Sequence, residues 1–192
     1  MAGRRRGYGW LLLGCALLVG VAGCTAHKDP PLAISTAKAT ASPAPSFDST
    51  DPVQAFLGWH HALNNSQDSL DPNDPGLTIY GQGPALTGTR AAIARFRAQG
   101  IRQAKPTAVI KAHESSRAVV KGKQVRGVTA CLVEPANDFV DIKTGKPRAP
   151  AGSNRSKPVI SNYIGVMVLG DDGKWRLDGD TLNDVPSCSA VH

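Results

Sequence analysis

The stretch "VISNYIGVMVLGDDGKWRLDGDTL", residues 159–182, holds two β-rich runs around a turn. Val, Ile and Tyr fill the first run, and such residues fit a pleated, half-buried surface. Asp171-Asp172-Gly173-Lys174 supplies the turn, with Asp for local backbone hydrogen bonds and Gly for positive φ. The pattern predicts a β-hairpin joining "YIGVMVL" to "KWRLDG". In the first strand Ser161, Tyr163 and Gly165 share one face, and Asn162, Ile164 and Val166 share the other. Neither set is uniformly apolar, so both orientations stay open.

Working toward the N-terminus, four more β-rich segments precede the hairpin: "TAVIKAHE" (107–114), "SRAVVKG" (116–122), "QVRGVTACLVE" (124–134) and "FVDI" (139–142). Turn signals separate them at Lys121-Gly122-Lys123 and Thr144-Gly145-Lys146. A long loop of Gly, Pro, Ser and basic residues, "KTGKPRAPAGSNRSKP", fills 143–158. Upstream of Pro106 the period changes to that of a helix. Asp51-Pro52 reads as an N-cap followed by proline at the first helical position, and Val53, Phe56, Leu57, His60 and Leu63 recur at helical spacing. "SQDSLDPNDPG" ends this helix. A second helical region runs from about Leu77 to Gln99, interrupted near Gly81-Gln82-Gly83-Pro84 and ended by Gly100. Helices first and an antiparallel sheet afterwards predict an α+β fold.

The N-terminus carries a different message. Arg4, Arg5 and Arg6 precede an apolar run from Trp10 to Ala22, which is shorter than the roughly 20 residues of a membrane-spanning helix. Residues 1–23 are therefore expected to be a secretion signal. Val21-Ala22-Gly23-Cys24 resembles the bacterial lipobox, which implies a diacylglycerol on Cys24 and cleavage before it. Two or more acyl chains anchor stably, at about 0.8 kcal/mol for each buried CH₂. The expected location is the extracytoplasmic face of the cell membrane; the alternative is an ordinary secreted protein with Cys24 incidental. Residues 24–50, rich in Ala, Ser, Thr and Pro, lack hydrophobic periodicity and read as a disordered tether. The domain proper is expected over 51–188, with 189–192 as a tail.

Losing the signal removes three arginines and no acid, so much of the +7 formal charge belongs to targeting. Of the cysteines that remain in the domain, Cys131 and Cys188 form an even pair. Outside the cytoplasm they are expected as one disulfide, the alternative being two buried thiols. No CxxC, HExxH or paired Cys/His spacing occurs, so neither a metal nor another cofactor is expected. Nucleic acid is not an expected partner, since no basic motif interleaved with aromatics is present.

Three segments together carry a resemblance: "YGQGPALTGTRAAIARFRAQGI" (80–101), "VTACLVEPANDFVDIKTGKPR" (128–148) and "GKWRLDG" (173–179). In order and content they are similar to secreted actinobacterial lipoproteins of the nuclear transport factor 2-like superfamily. The resemblance implies a cone, in which a strongly curved antiparallel sheet wraps the N-terminal helices and leaves a pocket, and it implies that the open sheet surface serves dimers. Enzymes of that superfamily, the ketosteroid isomerases and polyketide cyclases, place an acid, a base or a His pair inside the cone. No motif here aligns with those residues, so none is carried over.

His60 is the leading candidate for chemistry, because it falls on the apolar face of the first helix with Phe56, Leu57 and Leu63. An imidazole titrating near pH 6.5 suits a general base, while a hydrogen-bonded core histidine is the plain alternative. Tyr163 and Asp141 are further candidate pocket groups, although Asp141 adjoins a turn where Asp commonly bonds local backbone. From Arg90 to Arg126 stand ten Lys/Arg and one acid, Glu114. That excess suits a face attracted to anionic lipid or wall polymer, or a solvated exterior spread over several elements. Three functions follow as expectations: a non-enzymatic binding or interaction domain, a small-molecule isomerase, cyclase or hydrolase using His60, or an envelope accessory engaged through the basic face.

Overall fold

The computed structural model describes residues 46–153 and 155–191, so Cys24, the signal segment and most of the tether lie outside the described residues. Helix α1 spans Pro52–Ser69. The Asp51 carboxylate accepts from Gln54 N at 2.8 Å, as the Asp-Pro pair predicts, and Leu70 closes the helix in the left-handed region. The second helical region resolves into α2, Pro75–Tyr80, and α3, Gly83–Gln99. Between them Gln82 N turns away from the helix and donates to Leu177 O at 2.8 Å.

Six strands follow: β1 Ile101–Gln103, β2 Ala108–Val120, β3 Lys123–Glu134, β4 Phe139–Asp141, β5 Val159–Leu169 and β6 Trp175–Asp184. The main sheet is antiparallel in the order β2-β3-β5-β6, and β1 pairs with β4 in a small second sheet. The expected hairpin is β5–β6, with Gly173 at φ +73 in its turn. Lys121 and Gly122 both take positive φ and close β2 onto β3 as a two-residue turn. The segments expected at 107–114 and 116–122 are one strand: irregularities at Val109/Lys111 and Glu114/Ser116 carry β2 through Ser115 without ending it. Such bulges bend a strand, and with them the sheet curls around the helices. The α+β expectation holds.

The inner face of the sheet is now decided. Val128, Ala130 and Leu132 of β3, Tyr163 and Met167 of β5, and Trp175 and Leu177 of β6 meet Phe56, Trp59, Leu77 and Ile93 of the helices in one core. Burying a side chain of this size contributes about 1.5–3 kcal/mol. Tyr163 therefore turns inward with Ser161, and Ile164 and Val166 lie exposed on the other face.

Cys131 alternates with Ala130 and Leu132 and so belongs to the outer face. There it is bonded to Cys188, Cα to Cα 5.5 Å, at the start of a 3-10 turn over Cys188–Ala190. The bond draws the C-terminus onto the sheet, where Val191 is fully buried and its carbonyl accepts from Lys111 Nζ at 3.2 Å. Val191 is thus part of the packed domain, not of a tail. At the other end packing starts before Asp51. The Phe47 ring lies tilted against His61 and edge to face with Tyr80, its carbonyl accepts from Tyr80 Oη at 3.2 Å, and Ser49 O accepts from Trp175 N at 2.7 Å. The tether expected to run to residue 50 loses its last residues to the domain, because Phe47 finds an apolar bed there. Among the described residues no helix is long and apolar enough to cross a membrane.

Candidate functional site

Helix α1, the β1–β4 ladder and the inner face of the main sheet enclose a cleft of about 160 Å³. Leu63, Phe96, Leu132, Phe139 and Leu182 make its apolar walls. Phe96 of α3 meets Phe139 of β4 edge to face, with ring centroids 4.9 Å apart. Ladder pairing sets Gln103 of β1 opposite Phe139, and Gln103 and Asp138, the residue before β4, both line the cleft.

His60 stands at the inner end. It is 3 % exposed, its ring centroid lies 4.6 Å from that of Phe56 and 5.0 Å from that of Tyr163, and its Nε2 has no hydrogen-bond partner. Burial holds the imidazole pKa down to about 4, so the ring is neutral at pH 7. The Tyr163 hydroxyl is pushed up, first by burial and then by the nearby Asp180 carboxylate.

The polar groups of the cleft wall are unequally satisfied. Arg155 pairs with Glu134 and sits over the Phe139 ring, 5.9 Å to its centroid. Asp138 is 1 % exposed, and neither carboxylate oxygen has a hydrogen-bond partner; Arg155 Nη1 is 4.0 Å from Oδ2. Burial raises its pKa, while the backbone N–H groups of Asp138 and Phe139 and the Lys105 charge pull the other way without a hydrogen bond of acceptable geometry. Gln103 Nε2 donates to Thr107 Oγ1 at 3.3 Å, and its Oε1 is left buried and unpaired. An unpaired buried polar group costs about 1–3 kcal/mol.

Of the residues expected from sequence, His60 and Tyr163 meet at this cleft. Asp141 does not join them. Its Oδ1 accepts from Lys143 N and Thr144 N, each at 3.0 Å, and its Oδ2 from Arg148 Nη1 at 2.8 Å. Arg148 above all, with those amides, holds the carboxyl below its usual range. Asp141 fixes its turn. Sequence reasoning passed over Gln103, Glu134, Asp138 and Arg155. The local signal that could have been used there is the pair Asn137-Asp138, of residue types common in turns, and Asn137 takes φ +51.

The basic excess divides among elements. Arg90 ties α3 to Pro72 O at 3.1 Å, Arg102 pairs with Asp68, and Arg117 and Arg126 share Glu114. Among the described residues no group of three or more His, Cys, Asp or Glu could hold a metal ion.

No known family and no curated protein matches the sequence. Among solved structures the fold is similar to the intermembrane space region of the chloroplast protein ARC6, with TM-score 0.53 and 10 % identity over 73 % of this chain and 100 % of that one. At that identity the likeness concerns fold alone. A ketosteroid isomerase-like protein from Erwinia carotovora atroseptica SCRI1043 aligns at TM-score 0.40 and 8 % identity, over 71 % of this chain and 98 % of that one, a likeness on which no argument rests.

Proposed function

We propose that this chain is a lipid-anchored extracytoplasmic protein whose nuclear transport factor 2-like domain binds a small molecule without transforming it. One observation carries the binding role: a benzene-sized apolar cleft ends in buried polar atoms that no protein group satisfies. Native proteins pair their buried polar groups, so a set left unpaired in one cleft calls for an occupant. The element order supports the superfamily: three helices, then a curled antiparallel sheet with a core between them. Anchoring at Cys24 is supported by the order of Arg4 to Arg6, the apolar run and the lipobox-like Val21 to Cys24.

Catalysis through His60 is the weaker reading. A base whose pKa lies near 4 has little drive to take a proton at pH 7, and no acid is bonded to the ring. Attraction of a basic face to anionic lipid or wall polymer is weakened by the acidic partners that Arg102, Arg117 and Arg126 already hold. A homodimer through the outer sheet face would cover Ile164 and Val166, which are exposed there.

Mass spectrometry of the protein taken from its native membrane tests both halves. The denatured mass should show loss of residues 1–23, acyl chains on Cys24 and loss of two protons at Cys131 and Cys188. The native mass should exceed it by a discrete non-covalent increment. An unacylated chain removes the anchor, and equal native and denatured masses in every preparation remove the bound ligand.

A further inference from the structure

Resting on the reading of the cleft as a ligand site, we propose that its occupant is a small organic ammonium ion with Asp138 as counter-ion. The orphaned atoms of the cleft wall are Asp138 Oδ1, Asp138 Oδ2, Gln103 Oε1 and His60 Nε2, and the three oxygens are acceptors. An occupant that completes this site must bring N–H or O–H donors. A carboxylate or phosphate brings only acceptors, and the one guanidinium of the wall, Arg155, is already paired with Glu134.

Charge narrows the class further. Glu134 and Asp138 share one arginine, Arg155, which bonds Glu134 and stands 4.0 Å from Asp138 Oδ2, so the cleft wall carries one carboxylate more than it has cations. Lys105, whose charge reaches Asp138, donates its Nζ to Ala136 O at 2.8 Å and is not part of the wall. His60 and Tyr163, the remaining titratable groups of the wall, are neutral. A buried carboxylate without a partner either takes up a proton or acquires a cation. An ammonium supplies the charge and three donors at once.

The walls suit the rest of such a molecule. Phe96, Phe139 and Tyr163 offer aromatic contact, and Leu63, Leu132 and Leu182 offer aliphatic contact. A volume of about 160 Å³ is close to the roughly 150 Å³ of a cavity that admits benzene, so a hydrocarbon of five or six carbons fills it. Burial penalises the ionised carboxylate of Asp138, and an ammonium paired with it relieves that penalty.

Calorimetry on the full chain, held in a mild detergent, with cyclopentylammonium, cyclopentanol and cyclopentanecarboxylate separates the possibilities. The ammonium should bind about ten-fold or more tightly than the alcohol, and the carboxylate should bind least. The ratio of ammonium to alcohol affinity should shrink as the pH is lowered from about 7 toward the ordinary carboxylate range near 4. In Asp138→Asn, shown to melt cooperatively, the preference should vanish while cyclopentanol still binds. Equal binding of ammonium and alcohol overturns the proposal and leaves the cleft a ligand site. Tightest binding of the carboxylate makes Arg155 the anchor and overturns it too. If none of the three binds, the ligand-site reading falls with it. Should the variant fail to fold, a pH-independent ratio in the native protein is decisive against the proposal.

Discussion

The imidazole of His60 stands edge-on to the ring of Tyr163, centroids 5.0 Å apart and planes at 77°. Phe56 closes in at 4.6 Å, so a proton added to His60 would sit among aromatic rings without an acceptor. In the unfolded chain the imidazole takes its proton near pH 6.5, and in the folded chain only near 4. The unfolded state thus binds more protons in that window, and stability falls as the pH falls through it, by roughly 3 kcal/mol in all. His60→Phe keeps a ring and removes the titration. Urea midpoints measured at several pH values between about 6.5 and 4 should decline steeply in the native protein and less in the variant. Parallel declines would mean that His60 takes no part.

Asp138 makes the opposite contribution. Its folded pKa is raised, so the stability it adds is present below the unfolded value and is lost as the pH rises through the folded one. At neutral pH an ionised, unpartnered carboxylate is a cost. Asp138→Asn, which keeps the shape and drops the charge, is expected to raise the melting temperature at pH 7 and to change it little at acid pH. A variant less stable than the native protein at pH 7 would show that the carboxylate has a partner in solution. Groups kept unsatisfied at a loss of stability are characteristic of binding sites.

The hairpin and the first helix were legible because their signals are local. Alternation and Asp-Asp-Gly-Lys lie within one stretch, and Asp51-Pro52 sits directly before the periodic run that it caps. Strand β2 read as two because Ser115-Ser116 resembles a break, yet its irregularity is absorbed by pairing with β3. Strand β1 has three residues, too few to carry a period, and its partner β4 lies far along the chain. That pairing is what buries Gln103 and Asp138. Arg155 comes from a loop whose Gly, Pro and Ser content speaks only of turns, and its meeting with Glu134 is a matter of tertiary placement. His60 and Tyr163 stood out because each lies on an element whose faces can be read; which face of β5 turns inward needed the packed structure.

The bond between Cys131 and Cys188 closes a loop of 57 residues in sequence separation. In the chain-entropy account such a loop is worth about 4 kcal/mol, through restriction of the unfolded chain. The double variant Cys131→Ala, Cys188→Ala should lose stability on that order in urea. Amide exchange should then quicken at Val191, whose N–H donates to Cys188 O at 3.2 Å, before it quickens in β3. Native protein treated with a reductant should behave as the variant does. A variant of unchanged stability would show that the C-terminal segment holds to the sheet by packing alone.

Two Gly→Ala substitutions on the same side of the molecule should act with opposite sign. At Gly81 the backbone is extended, φ −130 and ψ 155, so alanine meets no backbone strain. Its Cβ would nevertheless fall 2.0 Å from Trp59 Cζ3 and 2.9 Å from Leu77 O. Trp59 is buried in the core and cannot swing away, and Gln82, the next residue, holds Leu177 O through its amide. Overpacking of this kind costs about 1–3 kcal/mol. Gly88 lies within α3 with nothing within 4 Å of the added Cβ. There alanine removes only backbone freedom of the unfolded chain and should stabilise by about 0.5–1 kcal/mol. Thermal melts of the two variants beside the native protein decide the point. If both melt below it, α3 does not bear on stability as its place against β6 implies; if both melt above it, Trp59 is free to yield and the core beneath the cleft is looser than its burial indicates.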